Sequence, residues 1–138
     1  MTTRKPNSRS CAAAVLAAAL GAACAGAAAA TPRDLLADYS ARASGSADAA
    51  RGKAFFTTAH GRDWACASCH GPTPVSDGRH AATGKPIQPL APSANPARFT
   101  DRDKVEKWFR RNCTDVVGRP CTDAEKADVL AWLIALKL

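Results

Sequence analysis

Several kinds of sequence pattern are scarce in this chain, and each absence narrows the class of protein. Runs of Val and Ile are missing, so no stretch is a credible β-strand and the ordered segments are expected to be helical. Lys and Arg are interspersed with Asp and Glu, which argues against an extended nucleic-acid-binding surface. No apolar stretch after residue 30 is long enough to span a bilayer, so stable membrane insertion is not expected there.

One short motif carries most of the chemistry of the chain. Cys66 and Cys69 are separated by two residues, and His70 follows directly. A C-x-x-C-H run is the attachment signature of c-type haem. Each thiol can form a thioether to a haem vinyl group, and the histidine can ligate the iron. The motif therefore predicts one covalently attached haem c, with Cys66 and Cys69 as attachment residues and His70 as an axial ligand.

Two other chemistries use the same residue types. A structural zinc site needs four ligands, and the sequence has no second cluster of Cys and His to complete them. A thioredoxin-like redox pair is the stronger alternative, because Trp64 lies just upstream of the motif. That fold needs a βαβ setting, for which the flanking sequence lacks Val and Ile. Haem attachment is favoured over both.

The first 30 residues have the pattern of a secretory signal peptide. Arg4, Lys5 and Arg9 make a basic start, residues 11–30 are small and apolar, and Ala28–Ala30 offers a cleavage site. A membrane anchor is the alternative, but the segment is rich in alanine. We expect residues 1–30 to be removed and residues 31–138 to form one periplasmic domain. Its formal charge is +4, because three of the 19 basic residues and none of the 12 acidic ones are lost.

Two of the cysteines beyond residue 30 lie outside the haem motif. Cys113 and Cys121 are expected to form a disulfide in an oxidising compartment, the alternative being two free thiols. Because the loop that they close is short, the disulfide should stabilise the fold by about 2–3 kcal/mol at most.

Helices separated by loops account for the rest of the chain. Thr31 and Pro32 are expected to open the first helix, and Thr122 with Glu125 forms a capping box for the last. Thr100 with Asp103 resembles a third capping box. The helices are predicted at 33–41, 47–56, 100–112 and 123–138. Residues 71–96 contain six prolines and are predicted to be a loop that wraps one edge of the haem.

The second axial position of the iron lacks its common ligand. The only methionine is Met1, which the expected cleavage removes, so a His/Met pair is excluded. The remaining candidates are His60, His80, a lysine, Asn112 or an open site. Asn112 lies one helical turn beyond Trp108, where a buried amide needs a polar partner. A helix C-terminal residue that bonds a free carbonyl would explain it equally well. The residues alone leave Asn112, His80 and an open site standing.

A wider pattern surrounds Asn112. The run Trp-Phe-Arg-Arg-Asn-Cys from Trp108 to Cys113, with a second cysteine at Cys121, is its most specific part. The other parts are Cys66–His70, Gly84–Ile87, Arg98–Thr100, Val105–Lys107 and Gly118–Arg119. This pattern resembles the sphaeroides haem protein (SHP) family, which consists of small class I c-type cytochromes that bind oxygen. The resemblance covers nearly all of residues 31–138.

The resemblance implies an all-α, class I cytochrome c-like fold around one covalently attached haem. In such a fold the helix at 47–56 crosses the last helix, which would bring Gly52 and Phe56 against Trp132 or Leu133. It further implies that Asn112 is the sixth ligand of the ferric iron and leaves on reduction, so that the ferrous haem can bind O₂ or NO. Trp108 would keep that side of the haem apolar.

The resemblance also implies neighbours and partners of this site. The Cys113–Cys121 disulfide would lie beside the labile asparagine. Apart from the resemblance, the residues themselves make Arg98 and Lys85 candidates to contact the haem propionates. Electrons would come from a dihaem cytochrome c, with a membrane b-type cytochrome as a further partner. Three alternatives remain: a plain electron-transfer cytochrome with His80 as sixth ligand, an enzyme that reduces O₂ or oxidises NO, and a sensor that binds gas without turnover.

Overall fold

The computed structural model describes residues 1–2, 29–61 and 63–138. Its elements in chain order are α1 (Pro32–Arg42), α2 (Ala49–Thr57), α3 (Ala67–His70), β1 (Gly78–Arg79), β2 (Pro86–Ile87), α4 (Arg102–Val117) and α5 (Asp123–Ala135). Within these residues, no helix combines the length and the apolar character needed to cross a membrane. The predicted signal peptide at 1–30 lies almost wholly outside the described residues and stays a prediction.

Helices α1 and α5 begin where the local sequence predicts. The Thr31 hydroxyl accepts a hydrogen bond from the Asp34 N–H at 3.1 Å, and the Asp34 carboxylate accepts one from the Thr31 N–H at 2.9 Å. Thr122 and Glu125 repeat this reciprocal arrangement at 3.2 and 2.8 Å. Because a capping box satisfies N–H groups that the helix leaves unpaired, it fixes the first turn from local sequence alone.

Helix α4 differs from the prediction at both ends. Asp101 caps it, with its carboxylate accepting from the Lys104 N–H at 3.0 Å, while the Thr100 hydroxyl donates to the Ala97 carbonyl instead. The helix continues past Asn112 to Val117 and ends at Gly118, whose φ of 79° is typical of a helix C-terminus. Asn112 is therefore an interior helical residue, and the interpretation of it as a C-terminal cap is wrong.

Residues 71–96 were expected to contain no strand, and this is wrong, because they contain one short pair of strands. Strands β1 and β2 are antiparallel, with Gly78 opposite Ile87 and Arg79 opposite Pro86. Two residues in each strand are too few to leave a period-2 pattern in the sequence. Pro86 is tolerated because a two-residue pair at a sheet edge needs few backbone donors. The remainder of this segment is loop, as predicted.

Helices α2 and α5 cross in close contact, as the class I fold predicts. The ring centroids of Phe56 and Trp132 are 4.9 Å apart, and both side chains are buried. A Cβ atom at Gly52 would overlap the main-chain carbonyl of Asp128, so only glycine permits this approach of the two backbones. Gly52 thus approaches α5 at Asp128, one helical turn before Trp132, where the contact was expected.

A buried carboxylate also ties α2 to α5. Asp128 is 6% exposed and accepts three hydrogen bonds: from the Asp48 N–H at 2.6 Å, Arg51 Nε at 2.8 Å and Arg51 Nη2 at 2.9 Å. A buried charge is tolerated when it is paired and hydrogen-bonded in this way. On the neighbouring face of α5, Leu35 and Tyr39 of α1 complete the core. These contacts leave α3, the long loop and α4 to enclose a cavity.

Candidate haem site

A cavity of about 600 Å³ opens between α3 and α4. Its walls are largely apolar, and they include Phe55, Phe56, Ile87, Leu90, Phe99, Val105, Phe109, Val129 and Leu133. Cys66, Cys69 and His70 line one part of it, and Trp108 and Asn112 of α4 line another. The structure therefore brings the predicted attachment motif and the predicted distal residues to one cavity.

Helix α3 presents the two cysteines of the motif from a single turn. The His70 N–H donates to the Cys66 carbonyl at 3.1 Å, and the Ser68 hydroxyl accepts from the Ala65 N–H at 3.0 Å, which holds the start of the turn. Cys66 and Cys69 are both free and lie three residues apart, on one side of the helix. Two thiols on one helical turn, facing an apolar cavity, suit attachment to a flat macrocycle.

The ionisation of the motif argues against a redox thiol pair. Burial raises the pKa of the Cys66 thiol to about 11. Disulfide oxidoreductases depend on a cysteine whose pKa is lowered, because the thiolate is the nucleophile. A neutral, buried thiol instead fits a residue whose sulfur becomes part of a thioether.

His70 is prepared to act as a neutral ligand. Burial lowers its pKa to about 4, and the nearby charge of Arg98 acts in the same direction. Its Nδ1 atom is buried, with no hydrogen-bond partner among the described residues. Metal-binding imidazole must be unprotonated at the ligating nitrogen. A neutral ring that lines the cavity meets that requirement.

The short hairpin β1–β2 closes over α3. A Cβ atom at Gly78 would overlap the carbonyl of Cys69, so the hairpin can lie on the motif only with glycine at that position. The Ala81 N–H also donates to Cys69 Sγ at 3.3 Å. Neither contact was predicted, although a glycine between two turn-rich segments is the kind of signal that marks a close backbone approach.

The other two histidines have hydrogen bonds that compete with iron ligation. His80 lines the cavity, but its Nδ1 accepts from the Thr83 N–H at 3.2 Å, which puts the proton of the neutral ring on Nε2. His60 Nε2 is 2.7 Å from the Phe55 carbonyl, and its ring packs at a tilt against the Phe55 ring with centroids 4.3 Å apart. In each ring, a hydrogen bond to the protein therefore determines which nitrogen carries the proton.

Helix α4 supplies the wall that carries Asn112. Asn112 and Trp108 are one turn apart and both line the cavity, with 45% of Trp108 exposed. Asn112 is exposed, so the expectation of a buried amide is wrong, and among residues 29–61 and 63–138 no group is hydrogen-bonded to its side chain. Arg111 stacks its guanidinium over the Trp108 ring at 5.7 Å. Arg111 therefore contacts Trp108 in the cavity wall.

A disulfide anchors the segment that follows Asn112. The structure joins Cys113 to Cys121 with their Cα atoms 5.6 Å apart, within the range of about 4.4–6.8 Å that protein disulfides span. Cys113 is buried and adjacent to Asn112, and Cys121 lies just before α5. The link shares no cysteine with the C-x-x-C-H motif, whose two thiols are free.

Two residues of the cavity wall have features that the sequence did not predict. Phe99 has φ 60°, an uncommon conformation for a bulky residue. It packs against the buried side chains around Leu35 and Tyr39 and against those around Phe56 and Trp132. Nothing in a phenylalanine indicates positive φ in advance. Arg98 donates from Nε and Nη2 to the carbonyls of Pro89 and Gln88, so two of its nitrogens are committed to the protein.

The fold is all-α with crossed helices, and its apolar cavity lies between a C-x-x-C-H turn and a proline-rich loop. This combination defines a monohaem c-type cytochrome. A family model described as a domain of unknown function (DUF1924) matches residues 42–133. The cytochrome c-type protein SHP of Cereibacter sphaeroides is 51% identical over 109 residues, which cover 76% of this chain and 84% of that protein. The chain belongs to the SHP family of c-type cytochromes, which carry one covalently bound haem.

Other relatives agree with this assignment. Cytochrome c'' of Methylophilus methylotrophus is 47% identical over 87 residues, 60% of each protein. The solved structure of oxidised SHP, described as an oxygen-binding cytochrome c, superposes with a TM-score of 0.73 at 50% identity and covers 77% of this chain and 97% of that one. Oxidised cytochrome c'' gives a TM-score of 0.67 at 39% identity, covering 78% and 95%. The predicted all-α cytochrome fold is thereby confirmed.

Proposed function

We propose that this cytochrome is a periplasmic gas-binding protein whose sixth ligand, Asn112, is released on reduction. Cys66 and Cys69 would hold the haem, and His70 would ligate its iron. The haem supplies an iron that accepts one electron and that, when ferrous, can bind a diatomic gas such as O₂ or NO. The observation that carries the proposal is the position of Asn112 on the wall of the cavity that His70 also lines, one helical turn beyond Trp108.

Elimination supports Asn112 over the other candidates. Met1 lies in the predicted signal peptide, so it is not expected in the mature protein. His80 would have to give up its hydrogen bond from Thr83 and change tautomer before Nε2 could ligate. His60 is hydrogen-bonded to the Phe55 carbonyl. Asn112 needs no such rearrangement.

The chemistry of an amide oxygen explains why reduction would release it. A neutral oxygen donor is hard, so the Asn112 amide would hold ferric iron more strongly than ferrous iron. Cys113 limits how far the segment can then withdraw, because the disulfide fixes the residue next to Asn112. Trp108 and Phe109 keep the vacated side apolar, which favours a small uncharged ligand.

The remaining parts of the proposal rest on the family resemblance and on the N-terminal sequence. Residues 1–30 would direct export to the periplasm, where the Cys113–Cys121 pair can be oxidised. A dihaem cytochrome c, and a membrane b-type cytochrome behind it, would supply electrons. The intact mass of the purified protein should equal residues from about Thr31 onward plus one haem, and thiol titration after unfolding should find no free cysteine.

Spectra of two variants test the ligand assignment. Asn112→Ala should keep its haem, because the attachment motif is untouched, and its ferric spectrum should change to that of an open or water-ligated iron. Its ferrous CO adduct should resemble that of the wild type, in which the amide has already left. His80→Ala is the matched control and should alter neither spectrum.

The opposite pattern would overturn the proposal. If His80→Ala loses the six-coordinate ferric spectrum while Asn112→Ala keeps it, the iron is bis-histidine ligated. The protein would then be a plain electron carrier, and the reduced wild type should fail to bind CO.

A further inference from the structure

Two neighbouring aromatic residues of α4 line the cavity, but the structure holds their rings in different ways. Phe109 is partly buried and meets Tyr39 edge to face, with ring centroids 5.8 Å apart, so its ring belongs to the core. Trp108 is exposed and, in the part of the chain that the structure describes, packs against neither buried cluster. Its ring therefore borders both the cavity and solvent, which places it at the cavity mouth.

Arg111 contacts the Trp108 ring from the next turn of the helix. The guanidinium carbon lies over the ring, 5.7 Å from its centroid. Long side chains on a helix lean toward its N-terminus, so a residue can cover the one three positions before it. Arg111 Nε is also 3.9 Å from the Asp115 carboxylate, one turn further along. All three side chains are exposed and line the cavity, so they form a continuous rim along α4.

This rim runs past the proposed sixth ligand. Asn112 lies one turn after Trp108 and directly after Arg111, and it lines the same cavity. The rim therefore lies on the same helix as the residue whose withdrawal would open the iron. Because the Trp108 ring is held by an exposed cation and not by core packing, it can change rotamer without disturbing the core, whereas Phe109 cannot.

We propose that Trp108 is a gate residue, held at the cavity mouth by Arg111, that limits the rate at which small ligands enter the sixth position of the iron. The proposal rests on the proposed function and deepens it, since it concerns entry to the position that Asn112 would vacate. Arg111 is a positioning residue that acts through the indole ring. A gate changes the entry and the escape of a ligand by the same factor, so it sets rates and leaves affinity unchanged.

Laser photolysis of the CO adduct tests the gate in reduced holo-protein of the wild type, W108A, R111M and R110M. Minor states of this kind are populated at about 10% or less, so W108A should speed CO rebinding about tenfold or more. The strength of an exposed cation–π contact predicts an increase of about two- to fivefold for R111M. R110M is the matched control and should rebind CO like the wild type, because Arg110 is exposed but lies outside the cavity wall.

Further variants separate a gate from a general change of the site. W108A/R111M should rebind CO no faster than W108A, since Arg111 acts only through the ring. R111K keeps a cation that can lie over the ring and should stay near the wild type. In W108A the entry rate of n-butyl isocyanide, a bulkier ligand of ferrous iron, should rise more than that of CO. Unchanged rebinding in W108A or R111M overturns the proposal, as does an R111M increase that R110M reproduces.

The motion of the ring provides a readout that does not depend on gas binding. The CO adduct is diamagnetic, so the indole N–H groups of the three tryptophans can be followed by NMR relaxation, with W108F identifying the Trp108 signal. That signal should show larger fast motion in R111M than in the wild type or R110M. If W108A fails to hold haem, R111M decides: equal motion in R111M and R110M would contradict the gate.

The gate and the sixth ligand can fail separately. In Asn112→Ala the amide no longer competes for the iron, and the R111M increase should persist. Loss of the increase in this background would mean that Arg111 acts through Asn112, and the gate would be wrong. If His80 proves to be the sixth ligand, the proposed function fails, and His80→Ala opens the iron to CO. An R111M increase in the His80→Ala protein supports the gate, and its absence contradicts it.

Discussion

Two regions of this cytochrome solve the packing problem in different ways. The helix-crossing region (α1, α2 and α5) buries its own side chains, and four of its largest (Leu35, Tyr39, Phe56 and Leu130) are at most 2% exposed. The cavity region (α3, residues 71–100 and α4) instead directs aromatic and polar side chains at a shared cavity, and Trp108 is 45% exposed. The difference indicates that the first region specifies the fold while the second is organised around a group that the chain does not itself supply.

The sharpest way to break the first region is to separate its helices. Gly52→Ala would place a methyl group against the Asp128 carbonyl, a backbone atom that cannot rotate away. We expect a loss of about 3 kcal/mol in the free energy of unfolding, measured by urea denaturation of the holo-protein. Gly45→Ala is the control, because a Cβ there meets nothing within 4 Å, and it should change stability by less than about 0.5 kcal/mol. Equal stabilities would mean that the helices do not cross as closely as described.

The disulfide is the strongest constraint on the second region. Replacing both Cys113 and Cys121 by serine should lower the free energy of unfolding by about 2–3 kcal/mol, since the closed loop is short. Dithiothreitol added to the wild type should produce the same loss at equilibrium, which separates the link itself from the effect of serine. A double variant as stable as the wild type in the absence of reductant would show that the link contributes nothing.

The sequence predicted the first region better than the second, and the reason is the range of the interactions. The caps at Thr31 and Thr122 are hydrogen bonds across three residues, so local sequence determines them. The start of α4 was misplaced because two neighbouring residues can cap, and Thr100 turned to the Ala97 carbonyl while Asp101 capped. The end was misplaced although Gly118 is a recognisable C-terminal signal.

The candidate haem site shows the same difference between what local sequence determines and what tertiary contacts determine. The chemistry of Cys66, Cys69 and His70 follows from spacing alone, because the residues of one helical turn must lie together. The proposal of Asn112 over His80 could not follow from spacing. It uses the hydrogen bond between Thr83 and the His80 ring, which forms only once the hairpin has folded. Such tertiary contacts have no local signature.

A smaller change would disturb the second region without separating the helices. Gly78→Ala would place a methyl group against the Cys69 carbonyl and push the hairpin off α3. The expected loss is about 1–2 kcal/mol, less than for Gly52→Ala because the two-stranded hairpin is short and partly exposed. Unlike Gly52→Ala, it should also alter the ferric and ferrous absorption spectra, since the hairpin contacts the sulfur of Cys69 and the main chain of His70. Unchanged spectra would show that the hairpin does not support the haem site.

The smallest expected effect lies where the two regions meet, at the ion pair between Arg119, just after α4, and Glu125 of α5. Their shortest contact is 2.6 Å, and the hydrogen bond from Arg119 holds the pKa of Glu125 below its ordinary value. A carboxyl group with a lowered pKa in the folded state adds stability that is complete above its unfolded pKa of about 4.3. That contribution disappears as the pH falls through the lower, folded value.

Glu125→Gln keeps the side-chain oxygen that accepts from the Thr122 N–H, so it removes the charge while preserving the cap. Its unfolding free energy should therefore lie slightly below that of the wild type at pH 7 and converge with it in acid. Asp115→Asn, which breaks an exposed pair with Arg111 at 3.9 Å, is the control and should change the unfolding free energy at pH 7 by less than about 0.5 kcal/mol. If the Glu125→Gln curve stays parallel to that of the wild type down to pH 3, the pair adds no pH-dependent stability. The two regions are then joined by the disulfide and by other ion pairs, such as Lys126–Glu106 at 2.9 Å.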